Sequence, residues 1–238
     1  MDHPELRRRF AGLTTAHLAD ACLRARVPLR CALLRAVVPG GRLAGRAAPA
    51  RHVGSVDIFL EVFERAGPGD VLVVDNGGRL DEACVGDLVV LEAQAAGLEG
   101  IVIWGLHRDT ADIEAIGLPV FSLGSHPSGP QRLDARPPDA LERAAISEHP
   151  VSEHPVSAED LVLGDEDGVL FVPAARAGEL FTIAETIRDT ERHQARQIRA
   201  GVSLRSQLQF DRYLARRQHA PSLTFREHLR AIGGAIEE

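Results

Sequence analysis

Gly69-Asp70-Val71-Leu72-Val73-Val74-Asp75-Asn76-Gly77-Gly78 and Gly100-Ile101-Val102-Ile103-Trp104-Gly105-Leu106-His107-Arg108-Asp109 are the two stretches on which the fold turns. In each, a short run of mostly β-branched apolar residues stands between glycines and acids, which reads as a strand covered on both faces. Between the two runs lies a helical segment, roughly Asp87–Ala96, closed by Gly97. After the second run, Asp109–Ala115 reads as a short helix closed by Gly117, and Pro119-Val120-Phe121 as a third strand. A β-α-β-α-β order predicts a parallel sheet with right-handed crossovers. It also predicts that the loops after both quoted strands share one edge of the sheet, where open α/β folds bind ligands.

Upstream, residues 14–26 read as a helix with a threonine N-cap. Val37-Val38-Pro39-Gly40-Gly41 breaks the chain ahead of a short strand near Gly45–Ala50, and a helix over Asp57–Ala66 ends at Gly67-Pro68-Gly69. Downstream, residues 125–160 are proline-rich and carry a tandem duplication, Ser147-Glu148-His149-Pro150-Val151 then Ser152-Glu153-His154-Pro155-Val156. Proline holds such segments extended, so a lengthened surface loop is expected rather than a metal tract. Asp160–Leu163 and Val169–Val172 flank Gly164-Asp165-Glu166-Asp167-Gly168, a hairpin signal whose acidic turn lacks EF-hand spacing and reads as solvated. From residue 174 the pattern is helical over 174–200 and 203–218, and Thr224-x-x-Glu227 is a capping-box signature for a last helix. The expected organisation is an α/β core over residues 1–173 with a C-terminal helical extension over 174–238. The narrow apolar stripes of the extension suit packing against a neighbour, such as another subunit.

Composition removes several function classes. A net charge of −7 argues against nucleic-acid and anionic-membrane partners, and no stretch approaches the roughly 20 apolar residues of a membrane span. The charges of Met1–Arg9 are not followed by an apolar run, so no secretory leader is expected. Three cysteines, Cys22, Cys31 and Cys84, without CxxC spacing suit a reducing cytoplasm, and Cys84 reads as a small buried residue. All 27 side-chain cations are arginine; there is no lysine. A lysine-imine aldolase, a pyridoxal-phosphate enzyme and a GxxxxGK[ST] phosphate loop are therefore excluded. A carbon–carbon lyase built from this composition needs a metal in place of the imine.

Two clusters carry candidate chemistry. Gly86-Asp87-Leu88-Val89 reads either as a helix start, whose free N–H groups suit a carboxylate, or as the interior of a longer helix beginning near Asp81. Arg108-Asp109 offers a permanently charged fork for a carboxylate or 2-oxo group and a hard oxygen ligand for Mg²⁺ or Mn²⁺. The same pair is also consistent with a surface ion pair, with Asp109 capping the next helix. His107 reads as a solvent-exposed loop histidine ahead of an acid/base, and the single tryptophan, Trp104, as core filling ahead of a pocket wall.

The quoted stretches resemble the RraA-like family, together with Ala83-x-x-Gly86-Asp87-Leu88, Ala96-Gly97-x-x-Gly100 and Gly117-Leu118-Pro119-Val120-Phe121. Leu13-Thr14-Thr15-Ala16-x-Leu18-Ala19-Asp20-Ala21 and Gly164-Asp165-x-Asp167-Gly168-Val169-x-x-Val172-Pro173 extend the likeness over roughly residues 10–205. That family holds metal-dependent 4-hydroxy-4-methyl-2-oxoglutarate and 4-carboxy-4-hydroxy-2-oxoadipate aldolases and regulators of ribonuclease activity. The resemblance implies a swivelling β/β/α domain with a central parallel sheet, assembled as homotrimers or homohexamers. It implies substrate contacts from Gly86, Asp87, Leu88, Val89 and Arg108, with Arg108 and Asp87 as catalytic groups and Asp109 as the ligand of a divalent metal, Mg²⁺ before Mn²⁺. A carboxylate from a neighbour's C-terminal helix, with Glu185 and Glu191 as candidates, would complete the shell. The implied reaction is aldol cleavage or decarboxylation of a small 2-oxo acid through a pyruvate-type enolate. The rivals are a non-catalytic ribonuclease regulator and a diverged lyase for another hydroxy acid. The chain departs from the family's usual Asp-Gly-x-x-Arg-Asp at Trp104, and has Asp87 where glutamate is common.

Overall fold

The computed structural model describes residues 1–147 and 153–233. Helix α1 (His3–Phe10), which the pattern did not announce, opens the chain, and the Asp2 carboxylate accepts from Glu5 N to cap it. There follow α2 (Thr15–Arg24), β1 (Cys31–Ala32), β2 (Arg35–Ala36), β3 (Leu43–Arg51), α3 (Asp57–Phe63), β4 (Val71–Asp75), β5 (Ala83–Val85) and α4 (Asp87–Ala95). Next come β6 (Gly100–Trp104), β7 (Leu106–His107), α5 (Thr110–Ile116), β8 (Val120–Ser122), β9 (Gly124–Ser125), β10 (Ala144–Ser147), β11 (Glu153–Val156), β12 (Asp160–Asp165) and β13 (Gly168–Pro173). The chain then continues in helices α6 (Ala177–Arg199), α7 (Leu204–Gln207), α8 (Phe210–His219) and α9 (Phe225–Ile232).

Across the described residues the main sheet runs β1-β13-β12-β3-β4-β6-β8-β2. Its centre is parallel: β3 pairs with β4, β4 with β6 and β6 with β8, as the two quoted runs predict. Alternate residues of these strands feed two different apolar layers, following the two-residue period of a strand. Leu72, Val74, Ile101 and Ile103 pack with Ile58, Phe59, Val90 and Ile113 of the helices. Val71, Val73, Val102 and Phe121 pack with Ala144, Ile146 and Val156 of the β10–β11 hairpin on the other face. That is why neither run alternates in polarity.

A second, three-stranded sheet, β5-β7-β9, is parallel throughout. Gly105 alone separates β6 from β7, and Leu123 alone separates β8 from β9. The expected plain loop from Gly105 to Asp109 thus contains a strand, too short to leave a periodicity. Gly105 is required by closeness: a Cβ there would sit 2.9 Å from Asn76 Cβ. The segment 125–160 is also more ordered than its prolines suggest, because Ala144–Ser147 and Glu153–Val156 pair antiparallel. The middle of the duplication, 148–152, lies outside the described residues.

By its internal contacts the chain divides into two compact units, Met1–Thr15 with Leu29–Gly178, and Ala16–Pro28 with the chain from Glu179 onward. Within the second unit, Phe210, Tyr213, Phe225 and His228 form an aromatic cluster, and the Thr224–Glu227 capping box is present. Among the described residues no helix is long and apolar enough to cross a membrane. The β12–β13 turn departs from expectation: Asp165 is buried, not solvated, and its carboxylate accepts from Thr15 N at 2.8 Å and Thr15 Oγ1 at 2.6 Å.

In β3, a Cβ added to Gly45 would stand 2.2 Å from Gly69 O and 2.9 Å from Val71 Cγ2. Gly45→Ala is expected to lower unfolding stability by about 1–3 kcal/mol, the usual range for overpacking, read as a reduced urea midpoint with unchanged slope.

Candidate active site

The backbone of the small sheet builds the site. Val85 and His107 are register partners in β5 and β7, and Arg108 N donates to Val85 O at 2.9 Å. The residues that follow each strand, Gly86 and Arg108-Asp109, therefore emerge side by side. Gly86 is the N-cap of α4, with φ −128° and ψ −175°, so the helix begins at Asp87 and the alternative of a longer helix from Asp81 is removed. Residues 83–85 are strand instead.

No side chain caps α4. The N–H groups of its first turn, Asp87, Leu88 and Val89, are left to a ligand or water, and the helix dipole favours an anion there. The Leu88 side chain is exposed and Val89 packs against the helical-face core, so these two residues offer the site their backbone. A Cβ on Gly86 would lie 2.6 Å from Asp109 Oδ2 and 3.2 Å from Arg108 Nε. Anion-binding N–H groups, a guanidinium and a carboxylate thus surround one small space. Arg108 Nε and Asp109 Oδ2 stand 3.4 Å apart, and both side chains are solvent-accessible. Gly129 borders Arg108 on another side: a Cβ there would be 3.2 Å from Nη1. Nothing in the proline-rich sequence around Gly129 announced that contact.

Asp109 occupies the N-cap position of α5 but has φ 61° and ψ 41°, and its carboxylate makes no capping hydrogen bond. A non-glycine residue held left-handed stores strain of roughly 1–3 kcal/mol, and aspartate tolerates the region better than most residues. The consequence is chemical: the backbone starts the helix while the carboxylate stays free to face Gly86.

His107, expected at the surface, is buried. His107 Nδ1 is hydrogen-bonded with Ser122 Oγ at 2.8 Å and Nε2 with Thr110 Oγ1 at 2.9 Å, so both ring nitrogens are engaged. The ring ties β7 to β8 and to the first residue of α5, on either side of Arg108-Asp109. Burial, the largest influence, pushes its pKa below the ordinary histidine value. Trp104, expected as core, packs against the hairpin-face core and also lines a cavity at the carboxyl ends of β3 and β4. Cys84 is buried, and burial pushes its thiol pKa up, so it is no nucleophile.

Among the described residues no three histidine, cysteine or acidic side chains gather as a metal-binding group. The donor set at Asp109 is one hard carboxylate, partly exposed to solvent and 3.4 Å from Arg108 Nε. That does not suit zinc, which takes three or four protein ligands. It suits a Mg²⁺-type ion, which keeps most of its waters and takes one or two carboxylates.

A family model for RraA-like proteins, described as Aldolase/RraA, matches residues 15–171. A protein of Dechloromonas aromatica, named provisionally as a 4-hydroxy-4-methyl-2-oxoglutarate aldolase, is 39% identical over 92 residues, which are 36% of this chain and 56% of that protein. One from Cupriavidus necator with the same name is 36% identical over 115 residues, 48% of this chain and 67% of its own length. The matches thus span about half to two thirds of these relatives. Among solved structures, an uncharacterized protein from Pseudomonas syringae superposes with a TM-score of 0.71 at 26% identity, covering 84% of this chain and 95% of the other. Streptomyces coelicolor RraAS2, described as an unusual member of the RNase ES inhibitor RraA family, gives 0.66 at 25% identity, covering 81% and 98%.

Because burial lowers the His107 pKa in the folded protein, the unfolded chain binds more protons as pH falls below the ordinary value of 6.5. Its contribution to stability is therefore complete above about pH 6.5 and declines as pH falls through that window. Chemical denaturation across pH 5–7.5 is expected to show this decline, with a shallower slope in His107→Gln; His52, whose pKa burial also lowers, contributes in the same direction.

Proposed function

This chain belongs to the RraA-like family, and from that premise we propose that it is a divalent-metal-dependent lyase, an aldolase or decarboxylase, acting on a small 2-oxo acid through a pyruvate-type enolate. The observation that carries the reading is the meeting of Gly86 with Arg108 and Asp109: the space a Cβ on Gly86 would fill is bounded by a carboxylate and a guanidinium at 2.6 and 3.2 Å. A 2-oxo acid needs both ends of that arrangement. Its carboxylate is met by the uncapped N–H groups of Asp87, Leu88 and Val89 and by the Arg108 fork. Its 2-oxo oxygen lies toward Asp109, which would hold the metal; the ion's contribution, when bound, is to polarise the carbonyl and balance the negative charge that develops on it. Asp87, at the first helical position, is the second carboxylate available to order water and move a proton. Arg108 stays charged throughout the working pH range and orients the acid without exchanging a proton.

The lysine-free composition supports the same reading, since no side-chain amine exists to form an imine. The names of the matched relatives support an aldolase, and 4-hydroxy-4-methyl-2-oxoglutarate is the substrate we propose to test first. We further propose a homotrimer or homohexamer in which a neighbour's α6 approaches the site. Its two candidate carboxylates are Glu185 and Glu191, the latter 3.1 Å from His17 Nε2. A ribonuclease-binding regulator is the second reading, favoured by the likeness to the Streptomyces protein.

Pyruvate release from oxaloacetate and from 4-hydroxy-4-methyl-2-oxoglutarate, with and without Mg²⁺, separates these readings. Metal-dependent turnover is expected, with kcat/KM reduced at least about a hundredfold in Asp109→Ala, the scale of losing a group that stabilises developing charge. Arg108→Ala is expected to lose a similar factor with a raised KM. Turnover that ignores Mg²⁺, or an undiminished Asp109→Ala, would sink the mechanism. Silence on both substrates together with tight ribonuclease binding would favour the regulator.

A further inference from the structure

Arg108 is half-exposed, and its ion pair is with its own chain neighbour, Asp109, at 3.4 Å. A long side chain so placed can swing, yet a guanidinium grips a carboxylate well only when its fork already faces it. Two glycines limit the swing. An added Cβ on Gly86 would stand 3.2 Å from Nε and 3.4 Å from Cγ, along the stem. One on Gly129 would stand 3.2 Å from Nη1 and 3.9 Å from Cζ, at the tip.

Nothing in its own backbone requires Gly129 to be glycine. Its φ lies outside the left-handed region, so the turn admits other residues. General packing does not require it either. Leaving aside its chain neighbours, the only atoms of the described residues within 4 Å of an added Cβ are those two of the guanidinium. What a side chain at 129 would meet is Arg108.

The segment that carries Gly129 is braced. His126 N donates to His107 O and Ala83 N to Ser128 O, both at 2.8 Å, so the chain leaving β9 is bonded first to β7 and then to β5. It thereby spans the small sheet from one edge strand to the other. Within it, Ser128 N donates to His126 Nδ1 at 3.1 Å and Ser128 Oγ to Gly129 O at 3.0 Å. Pro127 and Pro130, on either side of Ser128-Gly129, each fix one φ angle. Just beyond, Arg132 is paired with Glu82 at 3.0 Å. The strap is tied on both sides of Gly129, so in any closer contact the arginine, on its flexible stem, is the partner that moves.

We propose that Gly129 is a positioning residue of the active site. By carrying no side chain on a braced strap, it leaves the Arg108 fork room to face the uncapped start of α4, and a larger residue there turns the fork away from the substrate carboxylate. This rests on the lyase reading above and concerns the grip on the acid.

The test uses the full chain with Gly129→Ala and Gly129→Val, each checked by thermal melting. Phenylglyoxal, which modifies arginine, needs no ligand, and peptide mass mapping reads each site separately. Its rate at Arg108 is expected to rise several-fold in Gly129→Val, with the rates at Arg51 and Arg132 as in the parent. Pyruvate, titrated by calorimetry in the presence of Mg²⁺, is expected to bind about tenfold more weakly to Gly129→Val and less affected in Gly129→Ala. In oxaloacetate turnover KM is expected to rise by a similar factor while kcat changes less, the pattern of lost binding. Should Gly129→Val fail to fold, the same readouts on Gly129→Ala decide. Pyruvate binding by Gly129→Val equal to the parent's, or weakened with no change in Arg108 reactivity, would overturn the positioning role alone. A parent that binds no pyruvate would overturn the lyase reading itself, and this proposal with it.

Discussion

The hydrogen bond from Arg108 N to Val85 O, 2.9 Å long, closes the carboxyl end of the β5–β7 pairing, and the candidate active site depends on it. A parallel pair delivers its two chain ends in the same direction. Whatever follows β5 must therefore lie beside whatever follows β7. Here the followers are a glycine that opens a helix and an arginine–aspartate pair. Their closeness leaves no room for a side chain at Gly86: a Cβ would come within 2.6 Å of the Asp109 carboxylate. Glycine at this position is a steric requirement of the site as much as of the turn.

Direction then matters as much as proximity. Asp109 at φ 61° points its backbone into α5 while its carboxylate takes no part in capping. Such a conformation persists only when the surroundings over-determine it. His107 supplies part of that constraint, hydrogen-bonded on one ring nitrogen to Ser122 and on the other to Thr110, the residue next after Asp109. A buried neutral imidazole with both nitrogens engaged has little freedom to turn, so strain at Asp109 is held against a rigid post. A carboxylate held in place in this way would lose less entropy on binding the proposed metal than one on a free loop.

Much of this was legible in the residues, for identifiable reasons. Val71–Val74 and Ile101–Trp104 declare a doubly covered parallel sheet because each is apolar throughout, and Gly97 and Gly117 mark helix ends because both adopt positive φ. The strands β5, β7 and β9 escaped notice because they are three, two and two residues long, shorter than any periodicity. For that reason Gly86 stood undecided between helix start and helix interior until Ala83–Val85 proved to be strand. His107 and Asp165 were misjudged on a shared assumption, that polar residues in turns face water. Both are buried with their hydrogen bonds satisfied by partners far along the chain or across a strand, a relation that local sequence does not carry.

The two sheets divide the molecule's chemistry. At the carboxyl end of the small sheet the available groups are one guanidinium, the carboxylate beside it and an uncapped helix, a set that can orient an acid. With no lysine anywhere in the chain, a side-chain imine cannot form. In the proposed reading, a hard cation on Asp109 would supply the charge that stabilises a 2-oxo oxygen. The main sheet's carboxyl end differs in kind: Arg51, Arg79 and Arg132 are each paired there with carboxylates, which engages their charge within the fold. The arginine and aspartate at the small sheet are half-exposed and stand beside an uncapped helix start, an arrangement poor in groups but electrostatically pointed.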